Sequence, residues 1–101
     1  MYINFAEEVS GIPVSYPGYP LDIGSTGEDV VKLQEQLNRI SDNYPLIPKL
    51  TVDGIFGERT QNAVEVFHSV FGLTPDGIVG PRTWYKIQEI FVGVTRIAEL
   101  V

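Results

Sequence analysis

The feature that most constrains this chain is a segment written twice. Leu50-Thr51-Val52-Asp53-Gly54-Ile55-Phe56-Gly57-Glu58-Arg59-Thr60 matches Leu73-Thr74-Pro75-Asp76-Gly77-Ile78-Val79-Gly80-Pro81-Arg82-Thr83 at eight of eleven positions, 23 residues apart. An offset of that size holds one loop and one helix, so the pattern predicts two similar loop-to-helix units packed side by side. In each copy Asp-Gly predicts a turn, because glycine accepts positive φ and the aspartate can bond nearby backbone N–H groups. The isoleucine between the two glycines is expected to plug the loop from below. The residue after it, Phe56 or Val79, differs between copies and reads as a contact surface. Pro81 suits the first position of a helix.

Apolar spacing supplies three helices. The first is expected from about Glu28 to Ile40, with Val30, Leu33, Leu37 and Ile40 on one stripe and a capping box between Ser25 and Glu28. The second runs from about Glu58 to Phe71 and stops at Gly72. The third runs from about Pro81 to Phe91, with Trp84, Ile87, Ile90 and Phe91 inward. Short amphipathic helices are unstable alone and must pack together. The fold class is therefore all-α, a compact three-helix bundle carrying two Asp-Gly-Ile-x-Gly loop-helix units. Residues 1–20 read as a Pro/Gly/Tyr-rich connector, 21–91 as the domain, and 92–101 as a C-terminal connector or short helix.

A net charge of −6, with seven scattered basic residues, offers no basic stripe for nucleic acid or anionic lipid. No apolar run is long enough to span a membrane. Residues 1–8 do not read as a secretion signal, so export would depend on a longer chain or a removed segment. The absence of cysteine excludes disulfides, thiolate metal sites and a cysteine nucleophile.

No catalytic constellation emerges. His68 is the only histidine, which excludes a multi-histidine metal site, and it reads as a surface or half-buried polar residue. Asp53 and Asp76 could be cast as a glycosidase pair, but each occupies the same place in the same kind of turn and most simply serves that turn. Neither loop has the dense oxygen ligands of a calcium loop. Arg59 and Arg82 either brace their own loops or reach a ligand carboxylate. Trp84 reads as core rather than as a sugar-stacking platform. No cofactor or metal is expected.

At the paired Asp-Gly-Ile-x-Gly-x-Arg-Thr segments the chain resembles the peptidoglycan-binding domain 1 family. Further matches are Gly24-Ser25-x-Gly27-x-x-Val30-x-x-Leu33-Gln34-x-x-Leu37-Asn38, Ala63-Val64-x-x-Phe67, and Gly72-Leu73 through Trp84. The resemblance covers about residues 21–91. It implies a three-helix bundle without catalytic groups that brings an attached enzyme to the bacterial wall. Two features depart from the family pattern: His68 stands where glutamine is common, and Ser41–Lys49 is a longer connector.

The function this implies is non-catalytic binding of peptidoglycan, through glycan, stem peptide or both, by a monomer tethered to other domains. The expected location is the cell wall or cell exterior, with a spore association as the further expectation. Candidate contacts are Tyr44, Phe56, Arg59, Val79 and Arg82. The alternative is a protein-docking or pro-segment module. A thiol-blocking latency mechanism is unavailable to it without cysteine.

Overall fold

A computed structural model describes residues 13–100, with side chains through residue 96. The first twelve residues of the expected N-terminal connector, and residue 101, lie outside the described residues. Three helices follow in chain order: α1 (Glu28–Ser41), α2 (Glu58–Val70) and α3 (Pro81–Leu100). There are two isolated β-bridges but no extended strands among the described residues.

The apolar stripe of α1 is buried as its spacing requires, with Val30, Leu33, Leu37 and Ile40 all inaccessible. Glu28 and Asp29 in the first turn and Arg39 in the last oppose the helix dipole favourably. The expected Ser25–Glu28 capping box does not form. The N-cap is Gly27, whose N–H is already committed to the Gly54 carbonyl at 2.9 Å, and Ser25 Oγ accepts the Asp22 N–H instead. The chain is still pairing with the loop ahead of α2 when α1 begins, so no residue is free to cap.

Helix α2 buries Thr60, Ala63, Val64, Phe67 and His68. It ends in a six-to-one C-terminal turn, with Leu73 N–H on the His68 carbonyl at 2.8 Å and Gly72 at φ 76°. Helix α3 does not stop near Phe91 but continues to Leu100. Gly93 costs this extension about 1 kcal/mol relative to alanine. It is offset by burial of Val94, whose carbonyl also accepts Arg39 Nη2 at 3.3 Å. Helices α1 and α3 pack against each other more extensively than any other helix pair, joined by a reciprocal amide pair between Gln36 and Gln88.

The core joins α1, Ile47 and Leu50 of the connector, Phe56, the inner face of α2, Val79, Trp84 and Ile87. Each large aliphatic or aromatic side chain removed from water contributes about 1.5–3 kcal/mol. The segment before α1 fastens this core from outside. Val14 accepts Trp84 Nε1–H at 2.8 Å and donates to Gln88 Oε1 at 2.9 Å. Further along, Leu21 exchanges two hydrogen bonds with Val79, while Gly24 and Ser25 exchange two with Phe56. Residues 21–27 thus stitch both duplicated loops to the start of α1.

This stitching corrects the expectation for the loop side chains. Where the loops pair with residues 21–27 they are locally extended, so successive side chains face opposite ways. Phe56 and Val79 point inward and are buried, whereas Ile55 and Ile78 are 56% and 40% exposed. The plugs are Phe56 and Val79, and the isoleucines form the surface.

Candidate ligand clefts

Loop one (Leu50–Gly57) and loop two (Leu73–Gly80) make the same local turn. In each, the aspartate Oδ1 accepts the N–H two residues on, Ile55 at 2.9 Å and Ile78 at 3.0 Å. The intervening glycines have φ of 74° and 73°. A methyl group at Gly77 would meet Gln61 Cγ at 2.8 Å, and one at Gly54 would meet Val31 Cγ2 at 3.1 Å, so at both positions a tight neighbour adds to the strain that positive φ imposes on a side chain.

A shallow cleft opens beside each turn, bounded by the aspartate, the exposed isoleucine and the first turn of the following helix. Cleft one encloses about 460 Å³ and includes Asp53, Ile55, Arg59 and Thr60. Cleft two encloses about 290 Å³ and includes their counterparts Asp76, Ile78, Arg82 and Thr83. In α2 the N-cap is Gly57, which gives no side-chain cap, so the first-turn N–H groups at the cleft are not covered by one.

Gln34 of α1 anchors cleft one from beneath. Its Oε1 accepts the N–H groups of Asp53 and Gly54, and its Nε2 donates to Asp53 Oδ1, the Ile55 carbonyl and Thr60 Oγ1, all within 3.1 Å. The Ile55 N–H and the Gln34 amide together hold the Asp53 carboxyl below its ordinary range. Cleft two is anchored by His68 of α2. Its Nε2 lies 2.9 Å from Thr83 Oγ1, while Nδ1 has no hydrogen-bond partner and faces Asp76 Oδ1 at 3.8 Å. His68 is therefore not at the surface or half-buried but 1% exposed. Burial pushes its pKa down, against the opposing pull of Asp76 and Glu65.

The five residues proposed from sequence fall in three environments. Arg59 and Arg82 are exposed in clefts one and two, and neither forms a hydrogen bond or ion pair among the described residues. Bracing of their own loops is thus not what they do. Tyr44 is on the connector, its ring edge-on to Phe71 at 4.9 Å, away from both turns. Phe56 and Val79 are 1% and 0% exposed and cannot touch a ligand. Sequence reasoning missed Ile55 and Ile78 as the apolar surface. Alternation about the loop pairing is the signal that would have found them. Trp84 is core, as expected.

Three helices, a stitched N-terminal segment and two glycine-turn loops opening as shallow clefts define a small helical binding scaffold. The chain belongs to the peptidoglycan binding domain family, whose pattern matches residues 26–87. It is 42% identical over 71 residues to a zinc D-Ala-D-Ala carboxypeptidase of Streptomyces albus G, covering 69% of this chain and 26% of that protein. It is 38% identical over 66 residues to a spore cortex-lytic enzyme of Halalkalibacterium halodurans, covering 65% of this chain and 18% of that one. Among solved structures it is similar to the SleB N-terminal domain, with a TM-score of 0.66 and 31% identity over 76% of this chain and 99% of that one. The chain thus spans about a quarter or less of these two curated relatives. It corresponds to their binding module, a kind of domain that is typically non-catalytic.

Proposed function

We propose that the chain holds bacterial wall in its two clefts and serves as an anchor for whatever enzyme or modules are joined to it. The observation that carries this reading is the pair of exposed arginines, Arg59 and Arg82, each without a protein partner among the described residues at the rim of an equivalent cleft. A free guanidinium suits a carboxylate, in cleft one beside first-turn N–H groups of α2 that no side chain caps, and the adjoining Ile55 or Ile78 suits an apolar stem-peptide side chain. Peptidoglycan repeats its peptide carboxylates along a glycan, so two like clefts on one small body match a repeating ligand. Stem peptide is accordingly the favoured contact, with glycan passing alongside.

The module breaks no bond itself in this reading. Asp53 and Asp76 each spend Oδ1 on their own turn, and in cleft one Gln34 takes a further share. The relatives include a D-Ala-D-Ala carboxypeptidase and a spore cortex-lytic enzyme, which supports a location at the wall, or at the spore cortex where a spore is formed. Shallow clefts imply weak single-site affinity, raised by tethering to neighbouring modules. Co-sedimentation with purified insoluble peptidoglycan tests the proposal. The wild-type chain, presented in tandem copies, pellets with wall and Arg59→Ala/Arg82→Ala copies remain in solution. Wild-type tandem copies left wholly in the supernatant would refute the reading.

A further inference from the structure

His68 holds in the second unit the place Gln34 holds in the first, and it fills that place only in part. Both reach the helix-start threonine, Gln34 Nε2 at 3.1 Å from Thr60 Oγ1 and His68 Nε2 at 2.9 Å from Thr83 Oγ1. The glutamine amide also satisfies the aspartate and the turn. The imidazole leaves Nδ1 buried, unpartnered and 3.8 Å from Asp76 Oδ1, beyond hydrogen-bond reach. An amide cannot take up a proton in the physiological range, whereas an imidazole can.

We propose that His68 is a proton-operated latch for the second loop: in mild acid the charged ring draws the Asp76 carboxylate onto Nδ1 and reshapes cleft two, while the Gln34-held first loop does not respond. The charged neighbours set where this happens. Asp76 approaches from loop two and Glu65 from α2 itself, and both favour the charged ring. From α3 the ring meets Thr83, with Arg82 in the same cleft and Lys86 one turn further along the helix. Burial opposes the charge more strongly than the two carboxylates favour it, which holds the ring's pKa below the ordinary histidine value. The proton comes from solvent. Once both ring nitrogens carry hydrogen, Thr83 Oγ1 can only accept from Nε2, and Nδ1–H needs an acceptor, for which Asp76 is the nearest carboxylate. Asp76 Oδ1 already receives the Ile78 N–H, so its movement is transmitted directly to the turn.

Two-dimensional amide and imidazole NMR across about pH 7.5 to about pH 5 tests it on the intact chain. The ring of His68 should titrate with a midpoint below the usual histidine value of about 6.5. The Gly77 and Ile78 amides should move with that same midpoint, and Gly54 and Ile55 should stay still. His68→Gln should remain folded, since Gln34 shows that an amide serves the position, and should abolish the loop movement. Asp76→Asn should leave the ring titrating at a lower midpoint, with the Gly77 and Ile78 response reduced. A ring that stays neutral until the protein unfolds would overturn the latch. So would a ring that titrates while Gly77 and Ile78 do not move, or the same loop movement in His68→Gln.

Discussion

The duplicated segments 50–60 and 73–83 share eight of eleven residues, and loops one and two share one turn geometry, yet different chemistry holds them. Under loop one, the buried Gln34 amide bonds two backbone N–H groups, one carbonyl, one carboxylate and one hydroxyl. Under loop two, the buried imidazole makes one hydrogen bond and leaves one nitrogen idle. A turn of this kind therefore does not need a full complement of anchoring bonds. Its own aspartate and glycine define it, and the anchor decides how firmly and how conditionally it is held. The difference in chain path agrees. Gln34 reaches loop one from a helix 19 residues earlier, across the long connector, whereas His68 lies 8 residues before Asp76 and is followed directly by the α2 stop.

Exchanging the anchors should break the symmetry most strongly. Gln34→His leaves at least two loop-one groups without partners and should cost about 3 kcal/mol in urea unfolding. A cost near zero would show that loop one does not depend on its amide. Gly77→Ala should follow, at about 2 kcal/mol, from positive φ together with the Gln61 contact. Gly54→Ala should cost slightly less, because Val31 Cγ2 stands further off. Equal losses would mean that backbone strain alone matters. Arg59→Ala and Arg82→Ala should each change stability by less than about 0.5 kcal/mol, since neither arginine is bonded within the described protein. Wall binding should fall about tenfold in the double variant, equivalent to about 1.4 kcal/mol. A stability loss comparable with Gln34→His would reassign the arginines to the scaffold.

Acid should also separate the two loops. The Asp53 carboxyl is held below its ordinary value, so its contribution is fully present above the unfolded carboxylate value and is lost below it, as pH falls through the lower folded value. For His68 the folded pKa is also lowered, but the group is a base. The unfolded chain binds the proton first, so stability begins to fall near the unfolded histidine value and levels off below the folded one. His68→Gln should flatten the curve only in that upper window, leaving the acid limb from Asp53 in place. Equilibrium denaturation at stepped pH reads both.

Much of this architecture is legible in the residues. The stripe of α1, the Gly72 stop and the two Asp-Gly turns follow from periodicity and turn chemistry, and Trp84 reads correctly as core. The missed features depend on contacts far apart in sequence. The inward turn of Phe56 and Val79 follows from pairing with residues 21–27, which carry no strand pattern of their own. The extension of α3 depends on Val94 burial and on Arg39, 55 residues earlier. The equivalence of Gln34 and His68 was partly visible, because each follows a buried apolar residue, Leu33 or Phe67, and His68 stands where the family pattern commonly has glutamine. What single-sequence reading could not supply was the fixed 3 Å approach to a threonine in the next unit.

The central claim is that wall is held at the duplicated clefts, and an NMR titration of the chain with defined muropeptides tests it most directly. The account predicts shifts in the amides of residues 53–60 and 76–83, with the outer faces of α1 and α3 unmoved. Shifts concentrated around Tyr44 and Leu46, or spread over α3 with both clefts silent, would contradict it.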